Sequence, residues 1–136
     1  KRLIIWDVES EQIKYNASLP SVVEFIEWSS CQENTLLLLL ANGEIKVLDL
    51  LTKSILKLEL LAGAKPCALK CHPRKEQIIA VGFQSGEICF ADIQTLQTYT
   101  LKISESENGN PGSGVSDLAW DEGEDNIVVS FNDGMV

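Results

Sequence analysis

The segment NGEIKVLD at residues 42–49 and the segment SGEICFAD at residues 85–92 share a glycine turn, an apolar strand and a closing aspartate. The second segment begins 43 residues after the first, and a third turn pair, Asp133-Gly134, follows 48 residues later. LIIWD at residues 3–7 has the same strand and aspartate one period earlier. Periods of about 40 residues are typical of propellers and solenoids. The chain is therefore built from repeats.

The first strand of each repeat alternates apolar and polar residues, which is typical of a strand packed on one face. The repeat-equivalent apolar pairs are Ile26 with Trp28, Leu69 with Cys71, and Leu118 with Trp120. We expect these pairs to face the core. The tryptophans, including Trp6, are accordingly predicted to pack in the core rather than to stack on a ligand.

The remaining strands of each repeat differ in polarity. The second strands are near-continuous apolar runs, which indicates burial on both faces. The third strands end in aspartate, and the fourth strands are more polar, as outer edges should be. Glycine after asparagine, serine or aspartate favours the tight hairpin between the second and third strands. The second strands are residues 35–41, 77–83 and 126–131, and the fourth strands are residues 11–17, 53–60 and 96–104. Four antiparallel strands per period form a meander that stacks radially into a propeller.

These motifs resemble those of the WD-repeat (WD40) family. LIIWD at residues 3–7 looks like the terminal Trp-Asp signature of such repeats. Residues 42–49 resemble the same stretch with Leu48 in the tryptophan place, and residues 85–92 do so with Ala91 there. The resemblance covers essentially the whole chain. It implies an all-β fold, a β-propeller of four-stranded antiparallel blades.

The chain also departs from the family pattern. No Gly-His pair precedes any first strand, and the single histidine, His72, lies at the other end of one. Only Asp133 keeps the usual turn carboxylate. The polar network that such repeats often share among His, Ser/Thr, Asp and Trp is therefore incomplete. We expect divergent repeats that are held together by apolar packing.

The repeat register divides the chain into four parts. Residues 1–18 form an outer half-blade, residues 19–61 and 62–104 form blades, and residues 105–136 form an inner half-blade. Propellers typically have four to eight blades, so the ring in this chain is incomplete. We interpret the chain as a segment of a longer polypeptide whose remainder closes the ring. The alternative is a self-associated copy that closes it.

Composition narrows the range of partners. The net charge is −9 and the sequence pI is about 4.5. Such a charge disfavours direct binding to nucleic acid and to anionic membrane surfaces. The longest apolar run, Leu36–Ala41, is too short for membrane insertion. Four cysteines are few for a disulfide framework. We expect an intracellular, cytoplasmic protein; the cilium, trafficking complexes and the nucleus or nucleolus are compartments that the sequence also allows.

The sequence pattern does not bring potential metal ligands or catalytic side chains together at one site. Cys67 and Cys71 share one face of a strand, whereas His72 points away, so three metal ligands do not meet there. A catalytic role for His72 would require a neighbouring nucleophile and an orienting acid. The acidic residues between 121 and 125 are interpreted as a solvated turn. We therefore expect no catalytic residue, no metal and no cofactor.

The one segment longer than the repeat requires is the loop Glu105–Gly114. Insertions in propeller repeats lie in loops, often on the binding face. Candidate protein-binding residues in this loop are Glu105, Glu107, Asn108 and Asn110. By the family resemblance the loop lies on the same face as the turns at Asn42, Ser85 and Asp133, which complete the candidate set. The alternative is a flexible insertion without a function.

The sequence thus favours a protein-interaction scaffold. We expect a non-catalytic scaffold or adaptor within a multiprotein complex that binds other proteins. Divergent repeats of this kind resemble those of large eukaryotic assemblies such as cilia, membrane-coat and trafficking complexes, or ribosome-assembly factors. The alternative is a reader of a peptide or a modified residue at the centre of a complete propeller.

Overall fold

Twelve β-strands make up the regular structure of the part of the chain that the structure describes. The structure, a computed structural model, describes residues 1–29, 33–59, 65–75, 77–102, 114–123 and 125–132. None of these residues belongs to a helix long and apolar enough to cross a membrane. In chain order the strands are β1 (Arg2–Asp7), β2 (Gln12–Ser18), β3 (Val23–Trp28), β4 (Thr35–Leu40), β5 (Glu44–Asp49), β6 (Ser54–Glu59), β7 (Pro66–Cys71), β8 (Ile78–Phe83), β9 (Glu87–Asp92), β10 (Thr98–Lys102), β11 (Val115–Trp120) and β12 (Ile127–Phe131).

The strands form four antiparallel sheets in which each strand pairs with its neighbour along the chain. The sheets are β1–β2, β3–β6, β7–β10 and β11–β12, with two, four, four and two strands. Both four-stranded sheets are simple meanders. The predicted all-β fold of four-stranded antiparallel blades is confirmed, and the ring is not closed.

The core lies between the sheets, and β4 is buried on both faces. Leu38 clusters with Leu3 of β1 on one face, whereas Leu39 clusters with Val81 of β8 on the other. All six residues of β4 are buried. A strand that contacts a sheet on each side needs apolar residues at every position, which explains the run TLLLLL. The prediction of a doubly buried second strand is confirmed here.

Strand β8 repeats this arrangement with smaller residues on one face. Val81 faces the β3–β6 sheet, whereas Ala80 clusters with Val115 and Leu118 of β11. A Cβ atom added to Gly82 would lie 2.5 Å from Cγ1 of Val115. The absence of a side chain at this position therefore allows the β11–β12 sheet to approach β8 closely.

The aspartate that closes each third strand organises the following turn. Its Oδ1 accepts a hydrogen bond from the backbone N–H two residues later, and the residue four positions later has left-handed backbone. The three sets are Asp7 with Glu11 (φ 56°), Asp49 with Lys53 (φ 56°), and Asp92 with Leu96 (φ 62°). Such side-chain caps hold a tight turn in place. The recurring aspartate therefore has a local structural role.

The glycine turns have the predicted conformation wherever they are described. Gly43 has a φ of 86° and Gly86 a φ of 88°. The backbone N–H of each donates to the carbonyl three residues earlier, at Leu40 and Phe83 respectively. Left-handed backbone at the end of such a turn strongly favours glycine. The third predicted turn, Asp133-Gly134, lies outside the described residues.

The prediction that the tryptophans and their strand faces lie in the core is wrong for Trp6 and Trp28. Both indoles are more than half exposed, and Ile26 beside Trp28 is exposed as well. Trp28 shares its face with its cross-strand partner Leu36, which packs toward β1. Among the described residues, that side is covered by the two strands of the β1–β2 sheet, which bury β4 and leave Trp28 and Ile26 of β3 exposed. The equivalent faces of β7 and β11 are packed, as predicted.

We expect the substitution Gly82→Ala to lower the free energy of unfolding by about 1–3 kcal/mol, because the new methyl group collides with Val115. Urea titration followed by circular dichroism measures this loss. Gly123→Ala is the matched control, since a Cβ there meets nothing closer than 3.7 Å. Equal effects of the two substitutions would contradict the close approach of β11 to β8.

Candidate protein-interaction surface

One edge of the stacked sheets collects the turns that the sequence proposes as a binding face. Ala41 donates its backbone N–H to the carbonyl of Val22, and Gln84 donates to Lys65 in the same way. Both bonds join the end of a second strand to the residue before the first strand of the same sheet. We call the edge that holds the turns at Asn42 and Ser85, together with the segment before β11, the loop face.

The structure places two of the seven candidate binding residues on this face. Asn42 and Ser85 are both exposed in their turns. Oδ1 of Asn42 accepts a hydrogen bond of 3.1 Å from the backbone N–H of Glu44, so this side chain also supports the turn. The other five candidates, Glu105, Glu107, Asn108, Asn110 and Asp133, lie outside the described residues.

Gly114 connects the inserted loop to the loop face. It is buried, and a Cβ atom there would lie 2.9 Å from the carbonyl oxygen of Gln84 and 3.1 Å from Nδ2 of Asn132. Its carbonyl accepts the backbone N–H of Asn132 at 2.9 Å. The last residue of the loop therefore lies beside the turn that carries Ser85.

At the opposite edge, His72 is buried between two sheets. Only 2% of its surface is exposed. Its Nδ1 accepts hydrogen bonds from the backbone N–H groups of Arg74 at 3.1 Å and Lys75 at 3.0 Å. Its Nε2 lies 3.0 Å from Oδ1 of Asp125, and its ring packs against that of Trp120, with the centroids 4.6 Å apart and the planes tilted by 54°. Because Nδ1 accepts two hydrogen bonds, the ring proton is on Nε2 and is donated to Asp125.

Asp125 joins the β7–β10 sheet to the turn between β11 and β12. Its Oδ2 accepts a hydrogen bond of 2.8 Å from Nζ of Lys75, in addition to the bond from His72. These two bonds, that of Lys75 above all, hold the pKa of Asp125 below its usual value. Asp125 is exposed, in agreement with the interpretation of a solvated turn, and in addition it bonds to the neighbouring blade.

A second polar contact joins the β3–β6 and β7–β10 sheets. Oε2 of Glu27 accepts a hydrogen bond of 3.0 Å from the backbone N–H of Cys71. Burial of the carboxyl raises the pKa of Glu27, and the bond from Cys71 and the charge of Lys70 oppose this rise. A further contact joins the β11–β12 sheet to the β7–β10 sheet. In it, Nε1 of Trp120 donates a hydrogen bond of 3.3 Å to the backbone carbonyl of Lys70.

The structure separates the cysteine–histidine cluster that the sequence contains. Cys71 packs toward the β3–β6 sheet, with Sγ 4.0 Å from the carbonyl of Trp28, whereas His72 bonds to Asp125 on the opposite side. Burial raises the pKa of the thiols of Cys67 and Cys89, which favours the protonated form. Within the described residues, no three histidine, cysteine or acidic side chains form a group that could hold a metal ion.

Sequence reasoning missed the contacts of Asp125 and Glu27. Both side chains bond to residues about one repeat away, at His72 and Cys71 respectively. The acidic turn of one repeat and the histidine of the preceding repeat were available as signals. The other repeats, however, have no acidic side chain at the positions equivalent to Asp125 and Glu27. The repeat register alone therefore does not indicate these two contacts.

The fold resembles that of solved WD40 domains. No protein-family model matches the chain, and no curated protein matches it. Among solved structures, 420 chains are similar, one of which is the C-terminal WD40 domain of Sif2, with a TM-score of 0.71 and 15% identity. The match covers 90% of this chain and 35% of the Sif2 chain, so this chain spans about a third of that length. At this identity the similarity is one of fold. The chain has the WD40 β-propeller fold, as an incomplete ring.

We expect Asp125→Asn to lower the melting temperature at neutral pH. The folded pKa of Asp125 lies below its usual value of 3.8, so its ionised form stabilises the fold above that pH. This contribution disappears as the pH falls through the lower folded pKa, and the variant and parent should converge in strong acid. Thermal unfolding followed by circular dichroism, from about pH 7 to about pH 2, measures the difference.

Glu122→Gln is the control for Asp125→Asn, because it removes the same charge from an exposed position in the same turn. It should leave the melting temperature close to that of the parent. A difference for Asp125→Asn that persists unchanged into strong acid would contradict the ionic contact with Lys75.

Proposed function

We propose that this chain is a non-catalytic protein-interaction scaffold or adaptor, and a segment of a larger WD-repeat protein in an intracellular, eukaryotic multiprotein assembly. The observation that carries this proposal is that the polar side chains between the sheets bond to the neighbouring sheet. Side chains that could act in catalysis connect one sheet to the next, as His72 does with Asp125 and Glu27 does with Cys71.

The environment of His72 supports a structural role. Both ring nitrogens are engaged, Nδ1 with two backbone N–H groups and Nε2 with Asp125. A general base needs a ring nitrogen that can reach the proton of a substrate. The buried ring of His72 offers none, and its contact with the tilted ring of Trp120 helps to hold its orientation.

We propose the loop face as the contact surface for other proteins. It presents exposed turn residues on a rigid support, because Asn42 and Ser85 follow directly on the buried strands β4 and β8. Loops positioned by a rigid scaffold are common binding surfaces. Gly114, the last residue of the inserted loop, lies beside the Ser85 turn, and we propose that Glu105, Glu107, Asn108 and Asn110 belong to the same surface. Strands from the remainder of the propeller or from a second copy would close the ring.

The test of this function is affinity capture with mass spectrometry, using tagged protein in a eukaryotic cell extract. We expect a variant that lacks residues 105–113, but keeps Gly114 because of its buried position, to lose specific protein partners. Ser85→Arg should reduce the same partners, since it adds a long charged side chain to the adjoining turn.

The control for the capture experiment is Glu122→Lys, an exposed change at the opposite edge of the sheets. It should leave the captured proteins unchanged. If loss of residues 105–113 and Ser85→Arg both leave the same partners in place, the loop face is not the binding surface. If the parent captures no protein specifically, the scaffold function itself is wrong.

A further inference from the structure

Strand β6 forms the outer edge of the β3–β6 sheet, all four strands of which are described. The β1–β2 sheet packs on one face of this sheet and the β7–β10 sheet packs on the other. Among the described strands, β6 pairs only with β5. The open edge is therefore that of a whole blade between two neighbours, and not that of a half-blade.

The side chains of β6 are exposed at successive positions on both of its faces. The exposed stretch runs from Ser54 to Lys57, and the next residue, Leu58, is buried. Within this stretch Ile55 is 48% exposed and Leu56 is 39% exposed, although both are apolar. An edge strand also offers a row of backbone N–H and C=O groups to a further strand. The edge of β6 thus combines open backbone groups with exposed apolar side chains.

Two apolar rows cross the β3–β6 sheet and end at these side chains. One row runs from Leu36 through Leu48 to Ile55, across β4, β5 and β6. Leu36 and Leu48 are buried, so the row becomes exposed only at its last member. The second row crosses the same strands and ends at Leu56. Apolar residues opposite Ile55 and Leu56 on an added strand would continue both rows and remove these side chains from water.

The row next to Leu56 contains two lysines, which favour an acidic partner. Lys46 lies directly opposite Lys57, and like charges at such positions are unfavourable. Nζ of Lys57 lies 3.0 Å from Oε1 of Glu44, in an ion pair whose lysine side chain is 51% exposed. Exposed ion pairs of this kind contribute little. An acidic residue opposite Lys57 on an added strand would therefore add a favourable cross-strand pair to this row.

The distribution of charge in the chain favours the same partner. The fourth strands carry a net positive charge, whereas the net charge of the chain is −9. In the sequence their basic residues are Lys14, Lys53, Lys57 and Lys102, and their acidic residues are Glu11 and Glu59. Such a surface attracts an acidic segment and repels a basic one. Lysine on an edge strand also opposes pairing with unselected strands.

We propose that the open edge of β6 binds an extended acidic segment of another protein by strand addition. The added strand runs antiparallel to β6, which is the more stable direction of pairing. It places an acidic residue opposite Lys57 and apolar residues opposite Leu56 and Ile55. Backbone hydrogen bonds supply affinity, and these side-chain positions supply selectivity. The edge is a second interaction surface, apart from the loop face, and it extends the proposed scaffold function without depending on that face.

Fluorescence anisotropy with labelled synthetic peptides tests this edge in the full-length protein that contains the chain. The acidic probe is the capped peptide Ser-Thr-Glu-Val-Ile-Thr-Ser, whose central residues match Lys57, Leu56 and Ile55. We expect this probe to bind, and we expect Lys57→Glu to weaken its binding about tenfold, because like charges then lie opposite each other. The basic probe, with lysine in place of glutamate, should show the reverse preference and bind about tenfold more tightly to Lys57→Glu than to the parent.

Lys14→Glu is the matched control, since it reverses the charge of an exposed lysine on β2, the fourth strand of the neighbouring blade. It should leave the affinities of both probes nearly unchanged. Hydrogen–deuterium exchange with mass spectrometry locates the contact, and the acidic probe should protect the backbone amides of β6. Ile55→Asp should weaken both probes, and circular dichroism should show that its fold remains, because this position is exposed.

Failure of the acidic probe to bind at millimolar concentration, or protection of another segment in place of β6, would overturn the proposal. Equal effects of Lys57→Glu and Lys14→Glu would overturn it as well, because the charge opposite the added strand would then not matter. Protection of β6 that rises with protein concentration in the absence of a probe would assign the edge to a second copy instead. The outcome is independent of the capture experiment, because neither Lys57 nor Ile55 belongs to the loop face.

Discussion

The burial of β4 and β8 on both faces is the constraint on which the rest of the structure depends. A strand without a polar face has to lie between two sheets, because either face would otherwise expose an apolar row to water. The leucines of β4 face β1 on one side and β8 on the other. Radial stacking of the sheets follows from this requirement. Gly82 shows how closely the sheets pack, since Val115 of the next sheet occupies the space that a side chain at this position would need.

Apolar packing of this kind does not by itself fix the direction in which one sheet lies on the next. Polar contacts between neighbouring sheets add this directional preference. The bonds from His72 to Asp125 and from Cys71 to Glu27 have fixed donors, acceptors and lengths. Each bond satisfies a polar group that burial would otherwise leave unpaired at considerable cost. We infer that these contacts fix the position of each sheet relative to the next.

The exposed turns of the candidate surface could be predicted from the sequence, because each turn depends on residues that are neighbours in the chain. The exposure of Asn42 and Ser85 follows from their turns, whose geometry is set by glycines next to them in the chain. The contacts of Asp125 and Glu27 join residues about one repeat apart, and no pattern within a single repeat contains them. The exposure of Trp28 was likewise not predicted, because a strand pattern does not state how many strands the adjacent sheet has.

The sequence by itself determined the strands, their order and the antiparallel meander, since alternation, glycine turns and closing aspartates all act over a few residues. It also determined that β4 and β8 would be buried on both faces, because neither strand has a polar face. The same prediction is wrong for β12, where Val128 is more than half exposed, because no described sheet covers that face. Only the tertiary structure decided which sheet covers which face, and therefore that Trp6 and Trp28 are open while Trp120 packs against His72. Such contacts depend on the distance and angle between whole sheets, and those quantities are set by all the side chains between them together.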